Sequence, residues 1–313
     1  MPKLQSVIAF LLTVVFIVAC QGNSAQQAQD SQALPDCHTV QHALGEICVP
    51  QPPSRLVTLN DTTLVDALTL GVRPIGTSVI DQMPSYLTDT SDITLLGKSE
   101  QPNLETMARL GPDLIVGIEL FGKTVFDQLS QIAPTALGEW SGFPSWREHF
   151  DFVARVLIKE DEARQVWSNY SQKVDEIKNA LSVQLQEMEV TVAYACCGTI
   201  SIDAENSFAG SILGDIGIRR PAGQEPTDNG IIILSEELIP QMDADVIFVS
   251  AFDTDSEQVL ADWRQKPLWR QLRAVQTGQV YVVDYDIWRG GNPIAANLVL
   301  DDLLNYLLVD ENA

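Results

Sequence analysis

Five cysteines and three histidines are the side chains of this sequence best suited to covalent or metal chemistry. Cys37 and Cys48 stand eleven apart with His38 and His42 between them. Two thiolates and two imidazoles could hold a zinc ion, but in an oxidising compartment the same two thiols would pair with each other. Cys196 and Cys197 are adjacent at the end of an apolar stretch, a spacing that selects no chemistry. A serine hydrolase would want a nucleophile elbow; Gly210-Ser211-Ile-Leu-Gly214 has the wrong spacing, and His38, His42 and His149 are the only candidate bases. There is no HExxH and no phosphate-cradling glycine loop, so the sequence points away from an enzyme. A site for bare Zn or Mn needs several imidazoles, yet His149 lies far along the chain from the other two.

The choice between zinc and disulfide turns on compartment, and the N-terminus supplies it. Lys3 precedes an apolar run from Val7 to Ala19, broken only by Thr13, that stops at Ile17-Val18-Ala19-Cys20. A permanent membrane helix wants ~20 apolar residues, so the run suits the core of a cleavable export signal instead. The four-residue stop resembles a lipobox. Cleavage there would leave Cys20 as a lipidated N-terminus and hold the protein at a membrane surface, in the periplasm or cell envelope, without spanning it. Gln21 to Asp36 has almost no bulky apolar side chain and is expected to form a flexible tether, reaching roughly 20 to 25 Å. Export favours a Cys37–Cys48 disulfide, contributing roughly 2 to 3 kcal/mol.

Acidic residues number 42 against 19 basic ones, for a net charge of −23. That balance repels nucleic acid and anionic membrane surfaces, and an anionic ligand could bind only where basic residues locally overcome the background. The chain beyond the tether exceeds a typical domain of ~100 to 200 residues, so two lobes are expected. Short apolar runs (Leu56 to Leu59, Arg73 to Gly76, Leu114 to Gly117, Val190 to Ala195, Val246 to Val249, Val280 to Val283) alternate with amphipathic stretches, the pattern of an α/β fold with mostly parallel sheets flanked by helices. From Glu160 to Gln186 there is no Gly or Pro, and apolar residues recur every three or four positions. This predicts one long spine helix, roughly 40 Å in length. The expected organisation is a signal over 1–19, a tether over 20–36, a lobe over 37–158, the connecting helix over 159–187 and a second lobe over 188–313.

The halves echo each other. Asn103-Leu-Glu105 precedes Asp113-Leu-Ile-Val, and Ser235-Glu-Glu237 precedes Asp245-Val-Ile-Phe-Val, with the same eight-residue step from Glu to Asp. Equal spacing in two places predicts a duplicated helix-strand unit, one per lobe. Taken singly, each Glu would need no partner beyond the dipole of its helix.

With these features in place, the chain resembles the class III periplasmic binding proteins, which serve ferric siderophores, haem and vitamin B12. The resemblance rests on RLVTLNDTTLVDALTLGVRPIGT (55–77), GKSEQPNLETMARLGPDLIVG (97–117), FAGSILGDIGIRRP (208–221), LSEELIPQMDADVIFVS (234–250) and KPLWRQLRAVQTGQVYVVD (266–284), in order and spacing. QPNLE, KPLW and the terminal WRGGNPIAANLVLDDLLNYLL are most similar to the iron-siderophore branch. The resemblance implies a monomeric solute-binding lipoprotein of an ABC importer, with no cofactor and an Fe(III)-siderophore complex as ligand. It implies that Glu105 and Glu237 dock on arginines of the two-subunit permease. The ligand would lie between the lobes at the loops beyond the strands' carboxyl ends. Arginine and tryptophan suit its oxygen-rich and apolar edges, which selects Trp288 and Arg289 first, then Trp140 and Lys98, with Ser99, Phe121 and Ser207 on the same loops. Vitamin B12 or haem is the alternative cargo, with Tyr194 as an axial ligand in the haem case. A non-transport envelope lipoprotein would keep the lobes and need neither docking Glu.

Overall fold

The computed structural model describes residues 37–308 except 182–186, 197–198 and 253–255. The first described element is an antiparallel hairpin of β1 (Cys37–His42) and β2 (Gly45–Pro50), closed by a Cys37–Cys48 disulfide with a Cα–Cα distance of 5.4 Å. Both thiols are consumed there, which removes the zinc alternative. Cys20 and the tether lie outside the described residues.

The first lobe is built on β3 (Leu56–Thr58), β4 (Gly76–Val79), β5 (Thr94–Lys98), β6 (Leu114–Ile118) and β7 (Thr135–Gly138), all parallel, in the order β5-β4-β3-β6-β7. Its strands read as continuous apolar runs because helices cover both faces; every residue of β6 is buried. The helices are α1 (Asp61–Thr69), α2 (Leu104–Leu110), α3 (Glu119–Gly122), α4 (Phe126–Ile132) and α5 (Trp146–Leu157). The strand expected over Arg73 to Gly76 begins only at Gly76, since Pro74 has no N–H to give a ladder.

α6 (Glu160–Ala180) joins the lobes. It is about 30 Å long at 1.5 Å per residue, shorter than expected. Leu181, at its C-cap, has its side chain fully buried in the second lobe's core. The remainder of the expected helix, 182–186, falls outside the described residues.

The second lobe has β8 (Val190–Cys196), β9 (Thr199–Asp203), β10 (Ile231–Leu234), β11 (Val246–Ala251) and β12 (Val280–Val282), in the order β10-β9-β8-β11-β12. β8, β11 and β12 are parallel; β9 runs antiparallel to both its neighbours. Its helices are α7 (Phe208–Ile216), α8 (Ser256–Trp263), α9 (Arg273–Thr277), α10 (Tyr285–Trp288) and α11 (Pro293–Leu307). Both sheets therefore share one strand order, reversing between the first and fourth strands, and that reversal opens a crevice at the strands' carboxyl ends.

The duplicated motif has a common structural task. Asp113, just before β6, accepts hydrogen bonds from the backbone N–H groups of Ser54 (2.8 Å) and Arg55 (2.9 Å), just before β3. Asp245, just before β11, accepts one from the N–H of Glu189 (2.8 Å), just before β8. In each lobe an aspartate satisfies main-chain donors that the ladder has not yet reached. The preceding elements differ. Glu105 lies in the first turn of α2, capped by Asn103, whereas Glu237 lies in a 3-10 segment, Glu236–Met242, because Pro240 forbids the α-helical ladder.

The lobes also share side chains. Trp146, at the start of α5, packs edge-on against Phe208 of α7 (centroids 5.1 Å apart) and donates to Ser211 Oγ (3.1 Å). Trp167 of α6 touches both cores, meeting Trp146 at 5.5 Å and Phe150 at 5.3 Å.

Candidate functional site

Between the lobes lies a cavity of about 570 Å³, large enough for a small chelate. Its walls come from the carboxyl ends of both sheets. Asp61 and Thr62 follow β3, Ile118, Leu120 and Phe121 end and follow β6, Ala251 and Phe252 end and follow β11, and residues 283–286 follow β12. β3, β6 and β11 flank the two points where strand order reverses, and β12 is the edge strand beside β11.

Arg289 is the cationic group of the cavity wall. Its guanidinium is buried against the Asp203 carboxylate and lies over the rings of Tyr194 at 3.9 Å and Phe143 at 4.5 Å. Burial works most strongly against its charge, but Asp203 together with Tyr285 and Tyr194 more than offsets it, and the guanidinium stays protonated. Nε is buried with no hydrogen-bond partner among the described residues, leaving one donor uncommitted. Two glycines beside it permit the packing. A Cβ on Gly290 would come within 2.4 Å of the Ala295 Cβ, and Gly291 is left-handed (φ 62°) against Phe143.

The other charged side chains of the wall are carboxylates: Asp61, Asp81, Asp284 and Asp286. Burial pushes Asp61 up to about 6; hydrogen bonds from backbone N–H groups oppose the rise, and the charge of Asp286 from the other lobe adds to it. Asp61 Oδ1 is shielded from solvent and has no partner among the described residues. Asp286 is likewise raised by burial, against a hydrogen bond from the Ser85 N–H. The loop after β4 crosses to the second lobe here. Ser85 N donates to Asp286 Oδ2 (2.9 Å), Ser85 Oγ to Asp284 Oδ2 (3.0 Å), and Asn292 Nδ2 to Tyr86 Oη (2.9 Å).

Two apolar side chains stand at the rim. Leu120 is 63% exposed and Phe252 is 37% exposed, one on each lobe. Each follows its strand-opening aspartate, Asp113 or Asp245, by seven residues.

Of the residues selected from the sequence, Phe121, Trp140 and Arg289 line the cavity. Trp288 does not. It is fully buried in the second lobe's core, lying on Phe248 with centroids 4.4 Å apart and donating Nε1–H to Asp302 (2.8 Å). Its place in the single turn of α10 aims the indole inward while Arg289 faces the cavity. Lys98 pairs with the wall residue Asp81 (2.6 Å) but does not itself line the cavity. Ser99 is buried away from the cavity, and Ser207 caps α7, accepting from Gly210 N (2.9 Å). Tyr194 is buried beneath the Arg289 guanidinium rather than in the wall. Glu105 and Glu237 are solvent-exposed, Glu105 near Arg109 (3.7 Å). Asp61, Asp286, Tyr86, Tyr285, Leu120 and Phe252 were not selected from the sequence. The seven-residue step from the duplicated aspartates would have found the last two.

Beneath Trp140 lies a second buried polar group. The Thr63 hydroxyl proton goes to Asn60 Oδ1 (2.8 Å), so His149 Nε2–H donates to Thr63 Oγ1 (2.9 Å). Burial holds His149 down to about 3, hence neutral, and pushes the adjacent Asp66 carboxyl well above the usual range, with the Asp151 charge adding to it.

This two-lobed architecture with its switch-point cavity defines a solute-binding protein, and the chain belongs to the periplasmic binding protein family, whose model matches residues 56–287. A probable siderophore-binding lipoprotein of Bacillus subtilis, YfiY, is 32% identical over 96% of both chains. The Fe(3+)-citrate-binding protein YfmC of the same organism is 26% identical over 91% of both. Among solved structures, Staphylococcus aureus SirA complexed with staphyloferrin B superposes with a TM-score of 0.77 at 28% identity, covering 87% of this chain and 99% of that one.

Proposed function

We propose that this chain is a lipoprotein, anchored through Cys20 outside the cytoplasm, that captures a ferric siderophore in the interlobe cavity and delivers it to an ABC permease without chemical change. One observation carries the reading. The cavity sits where both sheets reverse strand order, and it combines the aromatic walls of Phe121, Trp140, Phe143 and Tyr285 with a buried guanidinium that keeps a free donor. Relatives named for siderophore binding cover the full length of the family match. Exposed carboxylates on equivalent segments of the lobes, Glu105 and Glu237, suit docking on paired arginines of the permease.

Trp140 in the wall provides the assay. A saturable quench of tryptophan fluorescence by a ferric chelate, and none by its metal-free form, is the expected result; no response to any ferric chelate overturns the reading. In cells, Glu105→Ala with Glu237→Ala should abolish uptake while leaving chelate affinity unchanged, and undiminished uptake removes the docking role. The position of Tyr194, covered by Arg289, gives no support to haem as cargo.

A further inference from the structure

We propose that the cavity selects ferric chelates without net negative charge, and that a protonated amine or other cationic group of the chelate sits between Asp61 and Asp286. The inference rests on the capture reading and specifies its substrate class.

The charges of the wall decide it. Arg289 is the only cation lining the cavity among the described residues, and its charge is committed to Asp203. Asp81 is matched by Lys98. Asp61, Asp284 and Asp286 line the cavity with no ion pair among the described residues. Asp284 and Asp286 receive only the neutral donors of Ser85 and the N–H groups opening α10, and Asp61 only backbone N–H groups. Asp61 comes from the first lobe and Asp286 from the second; both line the same cavity, and the Asp286 charge disfavours ionisation of Asp61. Two carboxylates lining one partly dry cleft are relieved by a cation held between them, and Asp61 Oδ1 is a shielded acceptor with no donor among the described residues. A trianionic chelate would meet three unmatched carboxylates inside a protein of net charge −23. Leu120 and Phe252 add an apolar rim that accepts an aliphatic arm but offers an anion nothing.

The test uses four ferric probes on the intact protein: the complex of desferrioxamine B, which bears a free ammonium; its N-acetylated, neutral counterpart; ferric citrate; and the trianionic complex of enterobactin. Tryptophan quenching should rank the ammonium-bearing complex at least ~tenfold tighter than its acetylated form, with the trianion weakest. Raising the salt concentration should weaken the first and strengthen the last. In Asp61→Asn/Asp286→Asn, checked for folding by circular dichroism, the ammonium-dependent difference should vanish while the neutral complex still binds. A trianion bound as tightly as the cation, or a preference that survives in the double variant, overturns the proposal and leaves capture intact. Failure of all four ferric probes overturns capture and the selectivity with it.

Discussion

Replacing Arg289 by alanine separates the site's stability from its ligand chemistry. The Arg289 side chain is 5% exposed and Asp203 1% exposed, so the pair is fully removed from water. Taking away one partner of a buried pair costs ~3 to 5 kcal/mol. Two features pull the figure to the lower end. Arg220 remains beside Asp203, donating to its main-chain carbonyl. Asp203, whose pKa burial already raises, can also take a proton once its partner has gone. The expected loss at neutral pH is therefore ~3 kcal/mol, out of ~5 to 15 kcal/mol for a folded protein. The sign of its pH dependence follows. In the variant the folded-state pKa of Asp203 rises further above its unfolded value, so the stability of the protonated form is lost as pH climbs through it. The deficit of Arg289→Ala should be smaller near pH 5 than near pH 8. Urea unfolding at both pH values, in a cycle with Asp203→Asn, measures this. A single-variant loss below ~1 kcal/mol, or coupling below ~0.5 kcal/mol in the cycle, refutes the picture of a preorganised guanidinium.

Three further outcomes are expected. Cys37→Ser with Cys48→Ser should cost roughly 2 to 3 kcal/mol in urea unfolding under oxidising conditions and nothing under reducing ones. Leu120→Ser and Phe252→Ser should each weaken the best-binding ferric chelate by ~three- to tenfold; the unfolding midpoint should hold for Leu120→Ser, whose side chain is largely exposed, and fall modestly for Phe252→Ser, which loses its packing on Tyr285. Asp66→Asn should change the slope of stability against pH. The wild-type carboxyl, raised by burial, contributes stability that is present below its unfolded pKa and is lost as pH rises through the folded one. The variant should therefore gain on wild type with rising pH above ~4, and parallel profiles in urea titrations would contradict this.

The fold was legible where the sequence states a burial pattern. β6 and β11 are apolar runs because both faces are covered, and the Asp113 and Asp245 echo marks one hydrogen-bonding task performed twice. The antiparallel β9 was not legible; its direction is set by pairing with β8 and β10, and no residue of Thr199–Asp203 declares it. Along the cavity wall, Phe121 and Trp140 could be picked out because they follow strand ends, and Arg289 because a guanidinium suits an oxygen-rich ligand. Trp288 could not be told from Arg289, since which of two neighbours faces a cavity depends on the α10 turn and on Phe248 waiting beneath it. Asp61 reads as an ordinary helix-opening acid. Its role in the wall depends on Asp286 arriving from far along the chain.

Trp146 and Trp167 have a consequence for how this molecule comes apart. An indole contributed by one half fills the interior of the other, and a second indole on the connecting rod belongs to both. Heating should therefore melt the two halves together in a single transition, and a fragment cut at the rod would expose a hole where Trp146 had been. The protein is one cooperative body with a slot in it, rather than two beads on a stick.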